Sequence, residues 1–288
     1  MKRQGPEARQ GQILTAIFTG VYLMSWIVVA APQEWHSMLY IAWMLVFSSG
    51  AFVVYVHTNY RVPFYIYSAV GIMLMAAATA AELDGALLTI AYAIEATTVV
   101  MMAVLLLRDV HIARRLCLLF IVPGLMSLEH MGAYAWRDGV MHEHFFALIV
   151  IAISCIATGL VLLGAQHNET EKSPVAALMG VVGIGYLLVL VWLVTHAIMP
   201  ADSATTVSLV VYTILGLAFF VRGKLEDDKS LITLGGVLLG LVVARLLLID
   251  VWQMELVGRV VTFGAIGIML ISTAFIGKGS KKTNLVQQ

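Results

Sequence analysis

Three ionisable residues, Arg245, Asp250 and Arg259, lie within fifteen positions of a strongly apolar stretch, residues 241 to 259. A charge at membrane depth costs several kcal/mol unless it is paired, hydrated or neutralised by a proton. Asp250 and Arg259 flank a short turn, so the simplest interpretation is an interfacial salt bridge that closes a helical hairpin. In the alternative, Arg259 binds a lipid phosphate or the phosphate of a lipid-linked substrate, because a planar guanidinium matches phosphate oxygens.

Glu95 lies inside another apolar stretch, about nine residues and roughly 14 Å from its outer end at 1.5 Å per residue. Arg245 lies about five residues below the end of its own helix, and its long side chain could cover the remaining difference in depth. One interpretation is a structural ion pair, or a protonated Glu95 hydrogen-bonded to a neighbouring helix. The other makes Glu95, with Arg245, the proton or substrate site of a cavity.

The stretch EHMGAYAWRDGVMHEH, residues 129–144, carries the densest group of metal-ligand side chains: Glu129, His130, His142, Glu143 and His144. Imidazole nitrogens and carboxylates suit transition metals. Three of these residues are sequential, however, and the HExxH spacing of zinc hydrolases is absent. A metal site is therefore the minority interpretation, and a hydrated, pH-sensitive outer loop or a gate over a cavity is favoured.

The composition defines the class of protein that must position these residues. Hydrophobic residues make up 61% of the 288 positions, charged residues make up 12%, and the mean hydropathy is +0.94. Lipid can cover that much apolar surface, whereas a soluble core cannot, so the chain is predicted to be an integral membrane protein. Cys117 and Cys155 lie in apolar segments and are predicted to be helix-packing residues. No motif for a nucleotide, a cofactor, a nucleophile elbow or a nucleic acid occurs.

An all-α bundle of about ten membrane spans is predicted, since about 20 helical residues cross about 30 Å of hydrocarbon. The fifth span is the weakest, because Arg114 and Arg115 lie in its first turn and Pro123 with Gly124 interrupts it. We expect a single membrane domain over residues 1–288, with tails at 1–11 and 278–288 and a cytoplasmic linker at 165–173 between spans one to six (12–164) and spans seven to ten (174–277). The spans are predicted near 12–31, 37–57, 64–82, 86–107, 111–128, 143–164, 174–198, 204–222, 230–250 and 256–277.

The distribution of Lys and Arg predicts the orientation, because cytoplasmic loops carry the excess of positive charge. With ten spans, fourteen basic residues fall on one side and only Arg137 and Arg259 on the other, with Arg245 inside a helix. Both termini are therefore predicted to be cytoplasmic, in a bacterial inner membrane.

Three segments share a further pattern: AYAIEATTVVMMAVLLLRD, HEHFFALIVIAISCIATGLVLL and ARLLLIDVWQMELVGRVVTFGAIGIMLISTAFI. A helix begins with an aromatic residue and a Glu, here Tyr92 and Glu95, and a basic residue precedes a helix-ending Asp and a later Arg, here Arg245, Asp250 and Arg259. On these residues the last two thirds of the chain resembles domain of unknown function 2339, a family of predicted multi-pass bacterial membrane proteins. Many relatives are longer, with a soluble N-terminal part, so the chain resembles a short member. The resemblance implies no established activity.

Two classes of function follow from the residues. The first is a secondary transporter or a flippase-like, lipid-handling protein that uses Glu95 with Arg245 as a buried charged site. The second is a non-catalytic scaffold or accessory subunit for envelope assembly, in which the charges serve helix packing. A membrane enzyme acting on a lipid-linked substrate through the outer loop ranks third. The expected partners are membrane lipids, a small or lipid-linked substrate and a membrane protein, and no nucleic acid.

Overall fold

The computed structural model describes residues 6–58, 61–165, 174–227 and 229–246, and the isolated helical positions 264, 267, 268 and 271. Within these residues every regular element is helical and no strand occurs, which confirms the predicted all-α class. Short 3₁₀ turns cover Gln33–Trp35, Cys117–Phe120 and Tyr134–Arg137. The α-helices are α1 (Pro6–Ala30), α2 (His36–Thr58), α3 (Arg61–Glu82), α4 (Gly85–Leu105), α5 (Val110–Leu116), α6 (Ile121–Met131), α7 (Glu143–Ala165), α8 (Pro174–Ile198), α9 (Ala201–Glu226) and α10 (Lys229–Arg245).

Seven helical segments of the described chain are long and apolar enough to cross a membrane, and the protein is therefore an all-helical membrane protein. Within the described part of α1, Phe18–Ala30 forms a shorter apolar segment, and α10 is described for 17 residues. The predicted tenth span, 256–277, lies outside the described residues apart from the four isolated positions. The seven segments are Gln33–Val54, Phe64–Glu82, Gly85–Leu105, Val110–Met131, Glu143–Ala165, Pro174–Ile198 and Ala201–Glu226.

The fifth predicted span is a composite of α5, a 3₁₀ turn and α6, and its interruption precedes Pro123. A proline lacks the N–H that would bond to the carbonyl four residues earlier, and its ring clashes with that carbonyl. For Pro123 this carbonyl belongs to Leu119, which lies inside the 3₁₀ turn Cys117–Phe120. The interruption predicted at Pro123 is thus a local tightening of a helix that still runs over 22 residues.

The helices pack mainly as neighbouring pairs, α2 with α3, α7 with α8 and α9 with α10, while α4 packs against α7. The largest buried cluster lies where α4, α7 and α8 meet the 3₁₀ turn. Its members include Ala93, Val100, Ile151, Leu162 and both cysteines, which are buried and unbonded to each other, as expected of packing residues. Helix α7 therefore lies at the centre of the described bundle.

Glycines allow two of these helix pairs to approach closely. A Cβ on Gly183 of α8 would lie 2.6 Å from Cγ1 of Ile156 and 2.9 Å from the carbonyl oxygen of Ala152 on α7. A Cβ on Gly235 of α10 would lie 2.5 Å from the nitrogen of Phe220 on α9. Small residues at such crossings are the usual means of packing helices in lipid. Gly183 belongs to the stretch GVVGIG, residues 180–185, and it brings this part of α8 against α7. The predicted linker, residues 165–173, lies almost entirely outside the described residues, but the helices on either side of it form this close pair.

Candidate functional site

Glu95 is the eleventh residue of the 21-residue helix α4, so it lies at the middle of a candidate span. Its carboxylate accepts a hydrogen bond from the hydroxyl of Thr79 on α3, and the residue is half-buried. One turn earlier on α4, the hydroxyl of Tyr92 donates to the carbonyl oxygen of Ala76 at 3.0 Å. Two polar contacts thus join α4 to α3 at the depth where lipid tails surround the bundle.

Glu95 lines a groove of about 170 Å³ between α3, α4 and the composite fifth span. Among the described residues in its wall, Tyr92 and Glu95 are the only polar ones, and the groove is partly open at the bundle surface. An apolar cleft with one or two converging polar groups is the usual form of a small-molecule site. The remaining wall residues are Ile72, Met75, Ala76, Ala96, Val99, Leu119, Val122 and Pro123.

The Thr79 hydroxyl has two acceptors within reach, the Glu95 carboxylate and the carbonyl oxygen of Met75 at 3.1 Å. A hydroxyl carries one proton, so it can donate fully to only one of them. When it donates to Met75, the contact with Glu95 requires Glu95 to be the donor and therefore protonated. The geometry accommodates both the ionised and the neutral acid without moving a helix.

Arg245 lies in a different environment, at the end of α10 against α8. Its guanidinium carbon is 4.1 Å from the centroid of the Trp192 ring, a cation–π contact. Trp192 also stacks on His196, with ring centroids 3.8 Å apart. In the structure, Glu95 therefore contacts Thr79 on α3, and Arg245 contacts Trp192 on α8. Asp250 and Arg259, the other two predicted site residues of this region, lie outside the described residues.

Some of the metal-ligand side chains predicted in residues 129–144, the outer loop, lie close together in the structure. His130, at the end of α6, is only 2% exposed, and its Nδ1 lies 3.0 Å from the Nδ1 of His144 in the first turn of α7. The Nε2 of His130 lies 2.8 Å from the hydroxyl oxygen of Thr89 on α4. Trp136 in the connecting turn donates its indole N–H to the His130 carbonyl oxygen at 2.9 Å. Glu129 and Glu143 are exposed on either side of the pair.

His142 precedes α7 and caps it, because its Nδ1 accepts a hydrogen bond from the backbone N–H of Phe145 at 3.3 Å. A neutral imidazole that accepts at Nδ1 carries its proton on Nε2, and this buried atom has no hydrogen-bond partner among the described residues. Burial lowers the pKa of His142, and repulsion by His144 lowers this pKa further, against a smaller opposing effect of Glu143. Uncharged His142 is thus the form that fits the folded loop.

Within the described chain, no three or more His, Cys, Asp or Glu side chains converge on a point that could hold a metal ion. The structure adds three residues that the sequence did not single out: Thr79, Thr89 and Trp192. Each contacts its partner across a helix interface, so its role becomes visible only once the packing of the helices is known. The sequence signal is weak: Thr79 and Thr89 are hydroxyl residues inside otherwise apolar runs.

Comparisons with known proteins return no relative. No protein-family model matches the chain. No curated protein matches it, and no solved structure does. The resemblance to domain of unknown function 2339 therefore stays a prediction.

Proposed function

We propose that the protein is a transporter-like or lipid-handling protein of the bacterial inner membrane, with Glu95 as the polar centre of its site. The observation that supports this most is the position of Glu95 in the wall of an open, apolar groove at the middle of a candidate span. Intramembrane carboxylates that face a cavity commonly mark a substrate or proton path.

The groove chemistry favours one substrate class. Its apolar wall suits a hydrocarbon chain or ring, and its single carboxylate suits an amine or a hydroxyl that donates a hydrogen bond. A small amphiphile with such a donor, or one lipid tail with its polar group beside Glu95, matches both features.

The test compares wild type with Glu95→Gln by native mass spectrometry after extraction directly into lipid nanodiscs. We expect a defined small molecule or lipid to accompany wild type and to be lost from Glu95→Gln, which removes the charge and keeps the size. Glu82→Gln is the matched control, since Glu82 ends α3 and is exposed outside the groove. Retention of the same ligand by Glu95→Gln would contradict the proposal.

A second candidate is a non-catalytic scaffold or accessory subunit for envelope assembly. The contact between Arg245 and Trp192 favours it, because this charge joins α10 to α8 rather than facing the groove. In the same experiment, only bulk lipid together with a stoichiometric protein partner in wild type, Glu95→Gln and Arg245→Ala would make the scaffold the better function.

A further inference from the structure

We propose that His130 and His144 form a proton-binding site that takes up one proton, held between their two Nδ1 atoms. These atoms lie 3.0 Å apart, and the ring centroids lie 5.1 Å apart. The site joins the end of α6 to the beginning of α7 and lies outside the Glu95 groove. It does not depend on the function proposed for that groove.

The N···N contact limits the number of protons. A neutral imidazole has one N–H and one lone pair, so a contact of this length needs one ring to donate and the other to accept. One added proton is compatible with it, because a doubly protonated ring can still donate to a neutral one. A second added proton would direct two N–H groups at each other and place two positive charges side by side, which would break the contact.

Thr89 selects the ring that carries the charge. Its hydroxyl lies 3.2 Å from the Gly85 carbonyl oxygen, an acceptor one turn back in the same helix. With that bond made, the Thr89 oxygen is left as an acceptor for an Nε2–H of His130, 2.8 Å away. A doubly protonated His130 then has an acceptor for each of its N–H groups, Thr89 on one side and His144 on the other.

The charged groups around the pair come from each element that packs on it. Helix α6 contributes Glu129, α7 contributes Glu143, and both carboxylates act electrostatically on His130. The connecting turn contributes His142, whose ring lies 5.6 Å from that of His144, while α4 contributes the uncharged Thr89. The acids favour the added proton, and burial and the third histidine oppose it. Uptake therefore places one positive charge at the junction of α4, α6 and α7.

The experiment is solid-state NMR of the full-length protein in lipid bilayers, with ¹⁵N-labelled histidine, over a pH series from alkaline to acidic. We expect His130 and His144 to change together in a single step of one proton per pair, as interacting sites do. A second proton should bind only at lower pH, with loss of the Nδ1 coupling. His130→Gln and His144→Gln assign the signals, and each of them should abolish the Nδ1 coupling and the shared step. Independent titration of the two rings in wild type would overturn the proposal.

Thr89→Val tests which ring is charged, since it removes the hydroxyl with little change in volume. We expect the doubly protonated signal to move from His130 to His144 in this variant. Thr98→Val is the control, because Thr98 is on the same helix and its one hydrogen bond among the described residues goes to the Ile94 carbonyl oxygen. Titration of Thr89→Val identical to that of Thr98→Val would refute the role of Thr89 and with it the assignment to His130.

Discussion

Two charged residues within the apolar helices, Glu95 and Arg245, make different kinds of stabilising contact. Glu95 accepts a hydrogen bond from the Thr79 hydroxyl on α3 and also lines the groove. The guanidinium of Arg245 makes a cation–π contact with the Trp192 ring on α8. A carboxylate at a groove can accept a hydrogen bond from a ligand, whereas a guanidinium stacked on a ring contacts the neighbouring helix. This difference is why the site is placed at Glu95 and helix packing at Arg245.

Protonation of His142 is expected to make the stability of the protein depend on pH. Its pKa is lowered in the folded protein, so the unfolded chain binds a proton first, near the ordinary value of 6.5. The free energy of unfolding should therefore fall as pH falls through about 6.5, and the loss should level off below the lowered pKa. His142→Asn keeps an acceptor for the Phe145 N–H and removes the titrating ring.

Thermal unfolding in detergent over a pH series checks this prediction. The melting temperature of wild type should fall more steeply on acidification than that of His142→Asn. Equal slopes for the two proteins would show that His142 binds protons equally well in the folded and unfolded states.

At the scale of elements, the bundle is held together by helix pairs whose backbones approach at glycine. Lipid tails are as apolar as the helix surfaces, so association depends on close van der Waals contact rather than on the hydrophobic effect. The pair α9 and α10 shows this clearly, since Gly216 and Gly223 of α9 face the side of α10 that carries Gly235. A single added methyl group at such a position meets backbone atoms, which cannot rotate away.

Gly235→Ala should destabilise the protein by about 1–3 kcal/mol, the usual range for overpacking, because its Cβ would lie 2.5 Å from the Phe220 nitrogen. Gly236→Ala, at the next position, has nothing within 4 Å of its Cβ and should be neutral or slightly stabilising, because alanine favours the helix over glycine. Steric-trapping or thermal unfolding of both variants measures the difference. Equal effects at the two positions would mean that α9 and α10 do not cross at Gly235.

At the scale of the whole molecule, charge is divided between the two ends of the bundle. One end of the bundle contains the C-termini of α3 and α6 and the N-termini of α4, α7 and α9. The acidic residues at this end are Glu82, Asp84, Glu129, Glu143 and Asp202. At the opposite end, where α5 and α10 begin and α9 ends, the basic residues outnumber the acidic residues Asp109, Glu226 and Asp227; the basic residues are Arg108, Arg114, Arg115, Arg222, Lys224 and Lys229. Positive charge accumulates on the cytoplasmic side of membrane proteins. This division supports the orientation proposed for the inner membrane, with the histidine pair at the outer end.

Labelling of single cysteines with a membrane-impermeant maleimide tests this orientation, in a background that lacks Cys117 and Cys155. Asp138→Cys, in the turn before α7, should be labelled in intact spheroplasts. Lys224→Cys, near the end of α9, should be labelled only after permeabilisation. The reverse pattern would invert the proposed orientation.

Ser280→Cys extends the same experiment to the number of spans. Helix α10 ends at the acidic end of the bundle, so a cytoplasmic C-terminus requires one further crossing within 256–277. If the chain has ten spans, Ser280→Cys should behave like Lys224→Cys. Labelling in intact spheroplasts would mean that this further crossing does not occur.

The sequence by itself determined the class and most of the helix bounds. The predicted spans 37–57, 143–164 and 174–198 lie within one residue of helices α2, α7 and α8 at each end. Hydropathy, proline and charge act through the local chain, so these features can be read without knowledge of neighbours. The helices α1, α3 and α9 extend several residues beyond the predicted limits, since a helix continues past the apolar run into polar residues.

Only the tertiary structure decided which side chains meet. Glu95 lies beside Thr79, Arg245 beside Trp192, and His130 beside Thr89 and His144, and each contact crosses a helix interface. Residue type and depth allowed Glu95 to pair with Arg245, but depth along a helix says nothing about which helix lies next to it. That order depends on how side chains of several helices interlock, with glycines setting the closest approaches, and such packing is a property of the whole bundle rather than of any stretch of the chain.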